Sequence, residues 1–502
     1  MRKFNLLLLL SLMTTAMHAQ FINNGAIITI QPGATLRIET SFENQSGTID
    51  NQGTLEVQGN FTNAPGAGTT LSGTGKLKFF GTGTSSLDAG DDVLNKVEIL
   101  KTTSAGTVTL AKTTTINDSL IFSGSSDGSK ILLGAFDLTL GAAATATGAS
   151  QTTGYVVTNS TGRLMKVVGA NNTNPLDLEI GNTSSYSPVR ATMTGNAAGN
   201  VSARVITSGM SPKYNDADAF IAREWIVSTP TVTSSVLRGT YVNGDATGTA
   251  ANIKGCTYLG SGEWSFTGFD GASNTVTAST TTNTDMKLTG QNFFGKYSSN
   301  VMLGGPKSGT TMNNLLTLPL TSPYTPGETV LSIPANAVDW VLLEIRDPNN
   351  QSTVISQKSG FLLTNGSIVG LDGVPQLRNK INNNSSGTGF VVVKHRNHLG
   401  IMSSSSKNLV NNPGLNFRSG AESTFGLNSQ DFDVVNSLYS MKAGDANGDG
   451  AINAVDRNLF WRAQNGTSSN YNNTADFNLD GTVNAIDRNL FWRINNGLSI
   501  NF

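Results

Sequence analysis

The sequence closes on a doubled acidic loop. GDANGDGAINAVDRNLFWRAQNG starts at Gly444 and ADFNLDGTVNAIDRNLFWRINNG starts at Ala475, so Asp445 and Asp476 open equivalent loops 31 residues apart. Oxygen-bearing side chains recur at loop positions 1, 3, 5, 9 and 12. They are Asp445, Asn447, Asp449, Asn453 and Asp456 in the first loop, and Asp476, Asn478, Asp480, Asn484 and Asp487 in the second. Gly450 and Gly481 stand at position 6, where the chain has to turn sharply, and position 7 (Ala451, Thr482) offers a backbone carbonyl. Such loops ask for a hard cation, because a lone cluster of carboxylates repels itself and a hard cation takes oxygen donors.

The order of donors is the EF-hand order for Ca²⁺, with oxygens expected at about 2.3–2.6 Å and one ion per loop, two in all. Asp456 and Asp487 stand where an EF-hand has Glu. The shorter side chain requires the exiting helix to sit closer to the ion. Apolar Ile452 and Val483 at position 8 suit a short pairing between the two loops. D-x-N-x-D-G-x-[IV]-N-x-x-D followed by RNLFWR, twice, resembles the type I dockerin module. That resemblance implies two Ca²⁺ loop–helix units that order on binding metal, and a docking role, usually to a cohesin on a scaffold or cell surface. Clostridial members often have Ser-Thr at positions 10 and 11, where this chain has Ala454-Val455 and Ala485-Ile486.

Helical spacing sorts the residues after each loop. Leu459 lies four residues after Val455 on one face, and Trp461 is roughly 200° from Leu459. Arg457 shares the Trp461 face, and Arg488 with Trp492 repeats the pair. Exposed Trp and Arg side chains are typical binding hot spots, which makes Arg457, Trp461, Arg488 and Trp492 candidates for partner binding. The other reading packs each Trp on the opposite repeat or on the preceding domain.

Before residue 440 helical periodicity is nearly absent and the chain reads as mainly β. Over residues 20–150 short alternating runs (ATLRIE, GTLEVQG, GKLKFFG, NKVEIL, DSLIFSG, FDLTLG) are separated by Gly and Asn. Their central residues Leu36, Leu55, Leu77, Val97, Leu120 and Leu138 recur at gaps of 19, 22, 20, 23 and 18. Spacing near 20 with one strand kept in phase predicts a β-solenoid, with a meander or sandwich of hairpins as its rival. The composition resembles the β-helical part of secreted bacterial adhesins and haemagglutinin-like surface proteins. Longer strands over 151–300 predict an antiparallel β-sandwich with Trp225 and Trp264 in its core. A second sandwich-like module is expected over 301–405, with a hairpin at Asn365-Gly366. A linker is expected at 406–442, and the calcium-binding dockerin-like domain, small and α-helical, at 443–497.

Residues 1–19 read as a secretory signal peptide: Arg2 and Lys3, an apolar run over Leu6–Leu12, then small residues. A formal net charge of −1 gives no nucleic-acid footprint, and a single cysteine, Cys256, allows no intramolecular disulfide. No later stretch is apolar and long enough to span a membrane. Catalytic constellations are poorly supplied. His395 and His398, three apart on one strand, would face opposite sides and are expected at the surface of a strand end. Asp91, Asp92 and Asp270 read as loop residues. The expectation is therefore a secreted or cell-surface protein of adhesive or structural kind, without catalysis, carrying a Ca²⁺-dependent docking module. Its partners would be a cohesin-like or other surface protein and extracellular polysaccharide or matrix glycans. The alternative is a dockerin-bearing polysaccharide-degrading enzyme, a glycoside hydrolase or lyase of an extracellular complex.

Overall fold

The computed structural model describes residues 20–502 apart from 64–69, 126, 208–210, 268–273, 325–326, 383–385, 427–428 and 468–470. The expected signal peptide, and Asp270, lie outside the described residues. The chain forms two compact units, one of Met1–Ser211, Ile221–Asp245 and Asn274–Thr289, the other of Pro212–Phe220, Ala246–Ser273 and Gly290–Phe502.

The first unit begins as a β-solenoid. Each turn gives one strand to each of two parallel sheets. Strands Thr35–Ile38, Thr54–Val57, Lys76–Gly81, Val93–Lys101, Thr114–Phe122, Leu138–Leu140 and Leu164–Val168 stack in one of them. Leu36, Leu55, Leu77, Val97 and Leu120 pair in register, and so do Ile38, Val57, Phe79, Ile99 and Phe122. Both rows point inward, since alternate residues share a face. The unequal gaps are taken up in the bends between strands, which leaves the stacking untouched. Leu138 does not continue its expected row. It faces Thr114, while Leu120 faces Ala146, because the nine-residue strand Thr114–Phe122 pairs with two successive short strands of the next turn.

The other sheet carries a second kind of ladder. Phe21, Phe42 and Phe61 stack in register, with ring centroids 5.5 and 5.6 Å apart. Two residues further on, Asn23 Nδ2 donates to Asn44 Oδ1 (2.7 Å), Asn44 Nδ2 to Asn63 Oδ1 (2.8 Å), and Asn63 Nδ2 to Asp92 Oδ2 (2.8 Å). Buried amides need partners, and repeating the same amide on successive rungs supplies them. On the outer face Arg37, Glu56, Lys78 and Glu98 alternate in sign along one register row, at 3.1, 3.0 and 4.0 Å.

After the seventh strand the pairing turns antiparallel. Leu164–Val168 joins Gly199–Ile206, which joins Glu224–Ser228, and a four-stranded antiparallel sheet forms from Leu176–Leu178, Val189–Thr194, Ser234–Thr240 and Thr275–Thr280. Trp225 is buried, donating through Nε1 to Ser187 O at 2.9 Å, and a Cβ at Gly239 would lie 2.7 Å from its ring. Glycine is what lets the strand pass that close.

In the second unit the main sheet runs in the order Ile368–Val369, Val354–Leu363, Ala337–Arg346, Thr388–His395, His398–Met402. The Asn365-Gly366 turn closes the expected hairpin, with Gly366 at φ +90°. Trp264 is buried too, its Nε1 donating to Pro212 O at 2.9 Å, but it belongs to the second unit while Trp225 belongs to the first, so the two do not share the core of a single 151–300 sandwich. Residues 406–442 are not a linker. They contain strands Lys407–Asn408 and Gly414–Asn416 and the hairpin Gln430–Asp433/Leu438–Met441, whose Met441 N–H donates to Met302 O at 2.7 Å. Among the described residues no helix is long and apolar enough to cross a membrane.

Candidate metal centre

The two loops are built on one hydrogen-bond scaffold. In the first, Asp445 accepts the N–H groups of Asp449 (3.1 Å) and Gly450 (3.0 Å), and Asp456 accepts those of Ala446 and Asn453 (both 2.8 Å). In the second, Asp476 accepts from Asp480 (3.1 Å) and Gly481 (2.9 Å), and Asp487 from Phe477 and Asn484 (both 2.8 Å). Asn447 and Asn478 donate through Nδ2 to the Asp449 and Asp480 carboxylates two residues on, at 2.7 and 2.8 Å. The side chains at positions 1 and 12 thus hold the main chain of their own loop in a closed curve. Gly450 and Gly481 make the turn at φ +83° and +90°.

Asp445, Asp456, Asp476 and Asp487 are buried. Burial, with repulsion from the other carboxylates of the same loop, pushes Asp445 up to about 7 and Asp476 and Asp487 up to about 6, and raises Asp456 as well. Main-chain N–H donors oppose the rise without cancelling it. Among the described residues no three acidic, histidine or cysteine side chains meet as a ready cluster. Each loop instead mixes three carboxylates with Asn amides and a carbonyl, a hard-oxygen set that fits Ca²⁺ and suits neither zinc nor a soft metal.

The helices that follow, Asp456–Trp461 and Asp487–Trp492, have the wider π winding and continue as Arg462–Gln464 and Arg493–Asn495. Their indoles turn inward. Trp492 is 5 % exposed and Trp461 half-buried; Trp461 Nε1 donates to Asn484 O and Trp492 Nε1 to Asn453 O, both at 2.8 Å. Arg457 lies over the Trp492 ring (5.1 Å) and Arg488 over that of Trp461 (5.3 Å). Each repeat therefore plugs the other: of the two readings open from the sequence, the structure has the one that packs each Trp on the opposite repeat and not the outward, partner-facing one. A buried indole needs an acceptor, and the opposite loop's position-9 carbonyl provides one. The faces are the reverse of those expected: Leu459 is 66 %, Leu490 58 % and Ile494 67 % exposed, beside exposed Val455 and Ile486. Position 8 differs too. Ile452 exchanges main-chain bonds with Gly497 and Leu498 after the second helix, and Val483 with Gly466 and Thr467 after the first, so the loops pair with helix tails and not with each other.

Both repeats touch the turn that joins Thr388–His395 to His398–Met402, and the second also packs on Gly305. Asn397 Nδ2 donates to Asp476 O (2.7 Å), Gly444 N–H to Asn397 O (3.0 Å), and a Cβ at Gly305 would collide with Phe477 O. Leu399 joins the core formed by Ala443, Ile452, Phe477, Val483 and Trp492. Beside this seam Asp339, fully buried, accepts from His395 Nε2 (3.1 Å), Arg396 Nε (2.8 Å) and Tyr471 OH (2.7 Å). His395 and His398 are buried as well, with their Nδ1 atoms 3.1 Å apart. The surface position expected for them fails because Arg396-Asn397 is a two-residue turn, so the two histidines sit opposite each other across a hairpin. Asn at a two-residue turn between apolar runs was the available signal.

These loops have a counterpart among known families. Residues 443–493 match the dockerin type I domain. Type I dockerin domains bind calcium. A solved structure, a mutant of a type II cohesin–X–dockerin complex from Acetivibrio cellulolyticus, is similar at 17 % identity over 41 % of this chain and 97 % of that one, with a TM-score of 0.23. No curated protein matches the chain. The dockerin match covers the two loops and the helices that follow them.

Proposed function

We propose that this is an extracellular, cell-surface-associated protein of adhesive or structural kind that attaches to a cohesin-like partner through a two-ion Ca²⁺ docking domain. Asp445, Asn447, Asp449, the Ala451 carbonyl, Asn453 and Asp456 would hold one ion. Asp476, Asn478, Asp480, the Thr482 carbonyl, Asn484 and Asp487 would hold the other. The observation that supports this most is the matching scaffold of the two loops, with buried carboxylates whose mutual repulsion a bound cation would relieve. The ions fix the loops, and the loops fix the helices. We assign the partner-facing surface to the exposed aliphatic side chains Val455, Leu459, Ile486, Leu490 and Ile494. Arg457, Trp461, Arg488 and Trp492 then support that surface from within.

The non-catalytic reading is favoured by what the solenoid's acidic residues do. Asp92 closes the asparagine ladder and accepts the Leu71 N–H, and Asp91 pairs with Lys112. The alternating charges of the outer row satisfy one another. The test is capture from envelope and secreted fractions of the source cells with the whole chain, in Ca²⁺ and in chelator. A partner retained only in Ca²⁺, and lost in Leu459→Asp with Leu490→Asp while Ca²⁺ still binds, is expected. Capture unchanged by that pair would remove the helix surface from the proposal.

A further inference from the structure

We propose that the two ions of the docking domain are held unequally. The second loop takes a tight, resident ion. The first takes a weaker ion that exchanges, so the Ca²⁺ level governs the half of the exposed surface carried by the first helix. This rests on the two-ion docking reading above and adds regulation to it.

The loops share their ligand types and their hydrogen bonds but not their filling. At positions 2 and 4, whose side chains are not ligands, the first loop has Ala446 and Gly448 and the second has Phe477 and Leu479. Phe477 is wholly buried in a core that includes Leu399, and Leu479 is 1 % exposed. Leu479 stands at φ +52°, a conformation that a leucine keeps only where packing imposes it. Ala446 is buried as well, but it has only a methyl group to anchor with. Gly448 reaches φ +70° without strain, and a Cβ there would meet nothing within 4 Å.

The surroundings differ in the same sense. Both repeats are tied to Asn397, and the second loop is held further by the close approach of Phe477 O to Gly305. On the first loop Asn447, Gly448 and Asp449 are exposed. They border a cleft of about 600 Å³ whose other side is the main sheet at Leu342, Glu344 and Lys394. The first loop's later residues are tied to the chain after the second helix: Gly450 O accepts the Ile500 N–H (2.9 Å) and Ile452 O the Gly497 N–H (2.7 Å). A loop fixed by packing loses less conformational entropy on taking its ion than one that moves at an exposed glycine. Arg396 stands on the second loop's side, donating to Asn473 O at 3.3 Å, and its charge would oppose a cation there. Asp339 matches that charge at 2.8 Å, so packing decides the order. Asp456 opens the first helix, which carries Leu459, and Asp487 opens the second, which carries Leu490. Emptying the first loop therefore releases one half of the surface and keeps the other.

Calorimetric titration of the metal-free whole chain with Ca²⁺ tests this. Two steps are expected, with Kd values at least about tenfold apart. Asp449→Ala, at an exposed ligand, is expected to remove the weaker step and leave the tighter one. Asp480→Ala is expected to remove the tighter. Leu479→Gly deletes the packed anchor without touching a ligand side chain, and is expected to weaken the tighter step about tenfold. Hydrogen exchange at a Ca²⁺ concentration between the two steps should find the amides of 456–461 open and those of 487–492 protected. Two equal steps, loss of the tighter step in Asp449→Ala, equal protection of the two helices, or an unchanged or tighter second site in Leu479→Gly would each overturn the proposal. Equal steps would leave the two-ion docking reading standing, whereas absence of any Ca²⁺ binding would remove both.

Discussion

The solenoid and the loop domain solve the same problem with opposite economies of sequence. Both must satisfy buried polar groups on a chain with few charges and no disulfide. The solenoid spreads the solution over many turns. A Leu, Val or Phe at each inward position and an Asn where a row of amides is buried is enough, and the intervals between strands are free to vary from 19 to 23 residues along the row Leu36–Leu120. The loop domain concentrates it. Nearly every residue from Asp445 to Asp456 has one task, and the second loop repeats the scaffold distances within about 0.1 Å. Repetition makes the first tolerant and precise spacing makes the second brittle.

Breaking a loop should therefore have the largest effect. Asp445→Ala with Asp476→Ala is expected to abolish Ca²⁺ binding and with it the stabilisation that ligand linkage supplies, about 2.7 kcal/mol per site at a hundredfold excess over Kd, so about 5 for two. Because Asn397, Leu399 and Gly305 join the second loop to the main sheet, chelation should lower the melting transition of the second unit and leave that of the solenoid in place. Scanning calorimetry in Ca²⁺ and in chelator separates the two, and a solenoid transition that moves with the metal would refute the division. Breaking one rung should cost somewhat less and stay local. Phe61→Ala removes a buried ring from the middle of a ladder, a loss of about 4 kcal/mol. Denaturant melts should show it in the solenoid transition alone, with Ca²⁺ affinity untouched.

This contrast also explains what could be read in advance. The two loops were legible as equivalent closed turns, since local spacing sets their hydrogen-bond scaffold. The first five residues of the inward row were legible as well, because a row needs only phase. Leu138 dropped out of phase because pairing with the next turn depends on how one long strand is shared, which no local pattern records. Which way Trp461 and Trp492 turn stayed open for a related reason. The helix periodicity separates two faces but does not say which is covered, and the cover comes from Asn484 and Asn453 on the opposite repeat. The seam at Asp339, His395, Arg396 and Tyr471 joins residues more than a hundred positions apart, beyond the reach of any motif.

That seam gives the smallest predicted effect and the one that links the two regions' logic, since it satisfies buried polar groups by a unique network and not by repetition. His395 donates through Nε2 to Asp339, so its Nδ1 is free to accept from His398 Nδ1–H, which also reaches Asn397 Oδ1 at 2.7 Å; His398 Nε2 accepts the Gly305 N–H at 3.3 Å. Both rings are thus satisfied as neutral species. Burial, and the charge of Arg396 beside them, hold both below the ordinary histidine value, while Arg396, His395 and Tyr471 keep Asp339 ionised despite its burial. An unfolded chain takes up these protons near pH 6.5 and the folded chain only at lower pH, so between the two the unfolded state binds more protons. The stabilisation is complete above that value and declines below it, by about 1.4 kcal/mol per pH unit for each excluded proton. The measurement belongs in saturating Ca²⁺, which keeps the loop carboxylates ionised; without it, their raised values would push the slope the other way. Stability of the second unit should fall between pH 6.5 and 5 in the native chain and fall less in His398→Gln, whose amide can still accept the Gly305 N–H. Parallel slopes for the two would mean that His398 carries a proton in the fold and that its neutral, hydrogen-bonded assignment is wrong.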